Sequence, residues 1–177
     1  MPEIEQALAV LRQAIQNEIA GQRFYTDAAF YCIDPWAKET FANLAREEED
    51  HTRLLLAEHQ TLSTQRRWLP REVAMARGQD VDVTQVTFTG DDMAEQLFPP
   101  QWSAEEAIDR RSDDLAALAF GIKIEMRAVA LYQGQAEKIE DVAAREAYNF
   151  LVQEETRHYR QLTALWERLA GAPWQES

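Results

Sequence analysis

The chain has 177 residues, 46% hydrophobic and 28% charged, with only six Gly and six Pro, as expected for one compact domain with a real core. Thirty-one Asp and Glu against eighteen Lys and Arg give a formal charge of −13, which repels nucleic-acid phosphates and anionic lipid headgroups and attracts cations. One cysteine, Cys32, excludes an intrachain disulfide framework, a four-Cys zinc site and an iron centre held by four thiolates.

From Ile4 the apolar positions recur at helical spacing through Leu8, Leu11 and Ile15, then Glu18, Gln22, Tyr25 and Ala29, which predicts one long helix to Tyr31. Asp34-Pro35 breaks it, since Asp caps a new helix and Pro suits the first helical position. A second stripe, Ala37, Phe41, Leu44, Glu48, His51 and Leu55, is expected to end near Glu58. Residues 60–102 form a long crossover. Within it Arg71 to Arg77 reads as two helical turns before Gly78, Val81 to Phe88 as extended, and Asp91 to Phe98 as another short helix. Trp68, Phe88, Phe98 and Trp102 read as the aromatics of a packing strap.

Ser103-Ala104-Glu105-Glu106 has capping-box form and places the start of a third long helix there or shortly after, with the stripe Leu115, Leu118, Ile122, Glu125, Val129, Tyr132 and Ala136. The fourth stripe runs Ala144, Tyr148, Leu151, Glu155, His158, Leu162, Leu165 and Leu169, stopped by Gly171 and Pro173. The expected fold is all-α: one domain over residues 1–177, a four-helix bundle of helix pairs at about 3–58 and 104–170. Glu125, Tyr132, Glu155 and His158 each follow Glu18, Tyr25, Glu48 and His51 by 107 positions, and the flanking apolar residues repeat with them. The chain therefore reads as two similar helical hairpins packed about a pseudo-twofold axis.

Glu18, Glu48, Glu125 and Glu155 occupy apolar-stripe slots and so point into the core, where unpaired charge is costly and a cation must compensate. His51 and His158 lie three residues after Glu48 and Glu155, on the same helical face. Each Glu-x-x-His pair offers an oxygen and a nitrogen to one ion, and the six residues together can hold two, with carboxylates bridging. This hard, oxygen-rich donor set suits iron first, with manganese or a mixed pair as alternatives, over tetrahedral zinc.

Glu18 with Tyr25, Phe41-x-x-Leu44-Ala45 leading to Glu48-x-x-His51, Glu125 with Tyr132, and Glu155-x-x-His158 resemble the di-iron domain of rubrerythrins in the ferritin-like superfamily, across about residues 4 to 170. The resemblance implies a ferritin-like bundle in which Glu48 and Glu155 bridge two irons, Glu18 and Glu125 are terminal carboxylates, and His51 and His158 bind one iron each. It implies an oxidoreductase that reacts Fe(II) with O2 or H2O2, of ferroxidase or peroxidase type, in iron or oxidative-stress handling. The alternative is a non-catalytic module for iron storage or delivery. Two departures matter. The position one turn after Glu125, a carboxylate in classical rubrerythrins, is Ala128, which shifts the expected preference towards oxygen; and the lone Cys32 leaves no rubredoxin centre, so an external electron donor is implied.

Tyr25 and Tyr132 lie two turns beyond a ligand Glu and read as core aromatics that also orient a carboxylate. Glu47 and Glu154 read as ion-pairing residues, Cys32 as an apolar filler, His59 as a surface residue, and Trp166 and Trp174 as packing at the bundle end or a subunit contact. A leftover apolar outer face predicts a homodimer. Charge argues against nucleic-acid or membrane partners, and an acidic amino terminus without an apolar run reads as cytoplasmic.

Overall fold

The computed structural model describes residues 2–81, 83 and 114–175. Its elements are α1 (Pro2–Tyr31), α2 (Pro35–Gln65), α3 (Arg71–Gly78), α4 (Asp114–Lys138) and α5 (Val142–Ala170). The described residues are otherwise loops and turns, so the fold is all-helical. The expected short helix at 91–98, the helix start at Ser103 and the aromatics Phe88, Phe98 and Trp102 lie outside the described residues.

The internal repeat is visible in the caps. Asp34 and Asp141, equivalent in the repeat, share an extended backbone (φ −64°, ψ 127° and φ −62°, ψ 126°). Asp34 accepts from the amides of Trp36 and Ala37, and Asp141 from that of Ala144, so each satisfies amides that the first helical turn leaves without partners. Gly171 closes α5 in the left-handed region at φ 67°, where a side chain would be strained.

One boundary differs from expectation. α2 does not end near Glu58 but continues to Gln65, because Thr61 and Leu62 carry the buried stripe further and no Gly or Pro intervenes before Pro70. Glu58 is fully buried and accepts a 2.9 Å hydrogen bond from the Leu69 amide, which folds the following segment back onto the helix.

α1 packs along α2 and α4 along α5 as two hairpins, and their buried stripes meet in two apolar clusters. One cluster holds Leu8, Leu11 and Ile15 of α1, Leu54 and Leu55 of α2, Tyr132 of α4, and Tyr148 and Leu151 of α5. The other holds Phe24 and Tyr25, Phe41 and Leu44, Leu118 and Ile122, and Leu162 and Leu165. Along every long helix the acidic stripe positions fall between the two clusters, so apolar layers seal a polar one from both ends.

α3, at the position its sequence indicated, lies on α2. Its last residue, Gly78, approaches so closely that a Cβ there would fall 2.7 Å from the Arg53 carbonyl oxygen and 2.8 Å from its carbon. Backbone cannot yield as a side-chain tip can, so Gly78→Ala should lower stability by about 1–3 kcal/mol, as overpacking does, readable as a lower urea midpoint with an unchanged slope. A wild-type midpoint in that variant would show that α3 is not held against α2.

Phe30, Ile33 and Trp36 remain exposed around the α1–α2 connection. Trp166 and Trp174 pack edge to face, ring centres 5.0 Å apart, at the end of α5. No helix among the described residues is long and apolar enough to cross a membrane.

Candidate metal centre

Four helices converge on the sealed polar layer. α1 supplies Glu18, α2 Glu48 and His51, α4 Glu125, and α5 Glu155 and His158, none more than 4% exposed. Helical periodicity explains the convergence: each Glu occupies a slot of its apolar stripe, and the i, i+3 spacing turns each His towards the same point as its Glu.

The oxygens are distributed unequally. Glu48 reaches both imidazoles, with Oε2 3.2 Å from His51 Nδ1 and Oε1 3.3 Å from His158 Nδ1. Glu155 does the same, Oε1 lying 3.1 Å from His51 Nδ1 and Oε2 3.1 Å from His158 Nδ1. Glu18 comes within 3.3 Å of His51 and Glu125 within 3.7 Å of His158. The imidazole rings are nearly parallel with centres 5.5 Å apart. The result is two overlapping donor sets, Glu18, Glu48, His51 and Glu155 on one side and Glu48, Glu125, Glu155 and His158 on the other, each with its donor atoms within 4.8 Å of one another.

The two tyrosines cross the pseudo-axis. Tyr25 of α1 donates its hydroxyl proton to Glu125 Oε1 of α4, and Tyr132 of α4 donates to Glu18 Oε1 of α1. Glu18 is thereby pinned through Oε1 while its Oε2 faces His51, whereas Glu125 turns the same Oε1 to Tyr25 and, at 3.7 Å, to His158. Burial and the nearby carboxylates push both phenols well above the ordinary tyrosine range, which favours the protonated, donating form.

Charge within the layer sorts in the same way. Burial, reinforced by the carboxylates of Glu48 and Glu155, raises Glu18 and Glu125 well above the usual carboxylate range. Burial opposes ionisation of Glu48 and Glu155 too, joined at Glu48 by the Glu155 charge, but hydrogen bonds with the imidazoles and neighbouring carboxyls, and at Glu155 the His51 charge, hold both below that range. His51 and His158 are raised in turn: burial disfavours their charge, and the surrounding carboxylates overcome it. The two lowered carboxylates, Glu48 and Glu155, thus face the two raised imidazoles.

Metal ions suit this donor set. Glu155 Oε1 is buried and makes no aligned hydrogen bond among the described residues, although His51 Nδ1 is 3.1 Å away. A cation satisfies such an oxygen, and two divalent ions neutralise the four carboxylates once the imidazoles are neutral. The buried Glu and His clusters can thus hold metal ions, with Nδ1 as the nitrogen each histidine presents.

Glu154 pairs with Arg157 at 2.6 Å, an ion-pairing role as expected. Glu47 does more than pair with Arg157: its Oε2 lies 2.9 Å from His158 Nε2, fixing the ring from the side opposite Nδ1. That bond and the Arg157 guanidinium hold Glu47 down to about 2 against its partial burial. The repeat carried a signal for it, since Arg157 stands where the other hairpin has Asp50 and draws Glu47 towards His158. A fifth buried carboxylate, Glu58, escaped the periodicity because its counterpart is Leu165; burial pushes it up to about 7. His59 is half-buried rather than on the surface, because α2 continues past it, and burial with the Arg12 charge holds its imidazole low. Cys32 is buried, and burial with the Asp114 carboxylate raises its thiol to about 12, as suits an inert filler. No protein-family model matches the chain, and no curated protein or solved structure matches it.

Proposed function

We propose that this protein is a di-iron oxidoreductase of ferritin-like, rubrerythrin-like build that couples Fe(II) oxidation to reduction of O2 or H2O2, re-reduced by an external donor in the cytoplasm. The observation that carries the reading is the sharing of Glu48 and Glu155 between two four-donor sets, which supports two adjacent ions held in common. The chemistry two irons bound there would supply is one electron each for reducing an O–O bond. The chain's part would be to hold them: Glu48 and Glu155 would be shared, Glu18 with His51 and Glu125 with His158 would complete each side, and Tyr132 and Tyr25 fix the terminal carboxylates. The apolar layers exclude bulk water, which strengthens these charge interactions.

Ala128, buried beside this layer, offers no further oxygen, and its counterpart in the other hairpin is Gly21. Neither side therefore has an additional carboxylate ligand one turn along, which favours oxygen-dependent oxidation over peroxide reduction driven by ligand exchange. Stopped-flow absorbance after mixing Fe(II)-loaded protein with oxygen or peroxide tests the reading. Rapid oxidation of both irons, then turnover with a reductant, is the expected result, and Ala128→Glu should raise the ratio of peroxide-driven to oxygen-driven rates. Binding without oxidation would instead mark a storage or delivery module.

The exposed Phe30, Ile33 and Trp36 support the homodimer. Sedimentation at micromolar concentration should give a dimer for wild type and a monomer for Ile33→Asp; a wild-type monomer would refute it.

A further inference from the structure

The two halves of the molecule differ in one chemically important respect. On the α4–α5 side Tyr132, hydrogen-bonded to Glu18, stacks on Tyr148 with ring centres 6.2 Å apart and planes at 24°. On the α1–α2 side the equivalent pair is Tyr25 on Phe41, at 5.8 Å and 21°. The packing is conserved between the hairpins while the oxidisable phenol is not. Beyond Phe41 lies Phe24, at 6.2 Å, so that side ends in rings that do not yield an electron where phenols and indoles do. Beyond Tyr148 lies Trp68, edge to face at 6.0 Å.

Trp68 and Tyr148 both line a cavity of about 480 Å³ at the end of the bundle, with Ile4 and Ile139 in its apolar wall and Arg66, Arg67, Lys138 and Glu140 among its charged groups. The volume, the indole wall and the mixed lining suit a small aromatic diol. At its inner end Tyr132 donates a hydrogen bond to Glu18, so the row of rings reaches the polar layer itself.

We propose that Tyr132, Tyr148 and Trp68 form a one-electron path from this cavity to the metal centre, along which a hydroquinone-class molecule delivers reducing equivalents during oxygen reduction. The role rests on the function proposed above. Oxygen needs four electrons and four protons to become two waters; two Fe(II) becoming Fe(III) supply two of the electrons. The hydroquinone supplies the other two, one at a time, and leaves as quinone with loss of two protons, so two further protons are drawn from solvent. In each passage Tyr132 gives an electron inward and is restored by Tyr148, then Trp68, then the hydroquinone, each phenol losing its proton with the electron and regaining one when it is restored.

Pulse radiolysis of the metal-free full chain tests the path without any metal chemistry. Azide radical oxidises tryptophan, and wild type should then convert indolyl to phenoxyl absorbance in a fast first-order phase independent of protein concentration. Tyr148→Phe, which copies the Phe41 arrangement, and Trp68→Phe should each lose that phase. Its absence in wild type, or its persistence in either folded variant, overturns the proposal. With Fe(II) loaded and oxygen supplied, 1,4-hydroquinone should yield quinone in wild type, and Tyr148→Phe should lose that yield; an equal yield in the variant also overturns it. Radical transfer in the metal-free chain alongside an inability to oxidise Fe(II) would refute the proposed function while leaving the path standing.

Discussion

Loading the metal-free protein with two divalent ions near neutral pH should release about four protons, one each from Glu18, Glu125, His51 and His158. The sign follows from the directions of the shifts. All four groups are raised, so they hold their protons at neutral pH, whereas Glu48 and Glu155 are lowered, already ionised, and contribute none. The exchange keeps the buried layer neutral: two carboxylates balanced by two imidazoliums become four carboxylates balanced by two divalent ions. Apparent affinity should therefore climb steeply with pH through the neutral range and collapse in acid. Calorimetric titration in buffers of different ionisation enthalpy counts the protons. Release of none would mean that the six side chains are not the ligands, and release of only two would place the protons on the histidines alone.

Glu48→Ala and Glu155→Ala should each lose both ions, while Glu18→Ala, Glu125→Ala, His51→Ala and His158→Ala should each retain one. The distances carry this ranking, because Glu48 and Glu155 each turn one oxygen to each imidazole, whereas Glu18 approaches only His51 and Glu125 only His158. The cost extends to stability. At free metal roughly a thousandfold above Kd, occupancy adds about 4 kcal/mol per site, so the bridging variants should melt like chelator-treated wild type. Elemental analysis of folded Glu48→Ala with two ions per chain would overturn the bridging role, and Glu48→Gln, which keeps the volume, separates charge from packing.

Much of the centre was legible as interrupted periodicity. Four Glu in apolar slots and two His three residues behind two of them left few other structures in which those charges could be buried. The equal spacing between the hairpins then tied the six residues into one set. The same logic passed over Glu58, whose counterpart is Leu165, and placed the end of α2 too early, because Glu there reads as the polar edge of a stripe.

The sequence by itself determined the long helices, their caps and the six residues that meet, since all of these follow from spacing within a helix and from the cost of unpaired buried charge. Only the tertiary structure decided the partners across helices: Tyr25 with Glu125 and Tyr132 with Glu18 across the pseudo-axis, Glu47 behind His158, and Trp68 against Tyr148. The physical reason is that periodicity specifies which face of a helix is buried but carries no information on which side chain of another helix will lie opposite it. That is settled by how the two hairpins dock, and the small departures from their repeat, Arg157 for Asp50 and Tyr148 for Phe41, are where the two halves take on different chemistry.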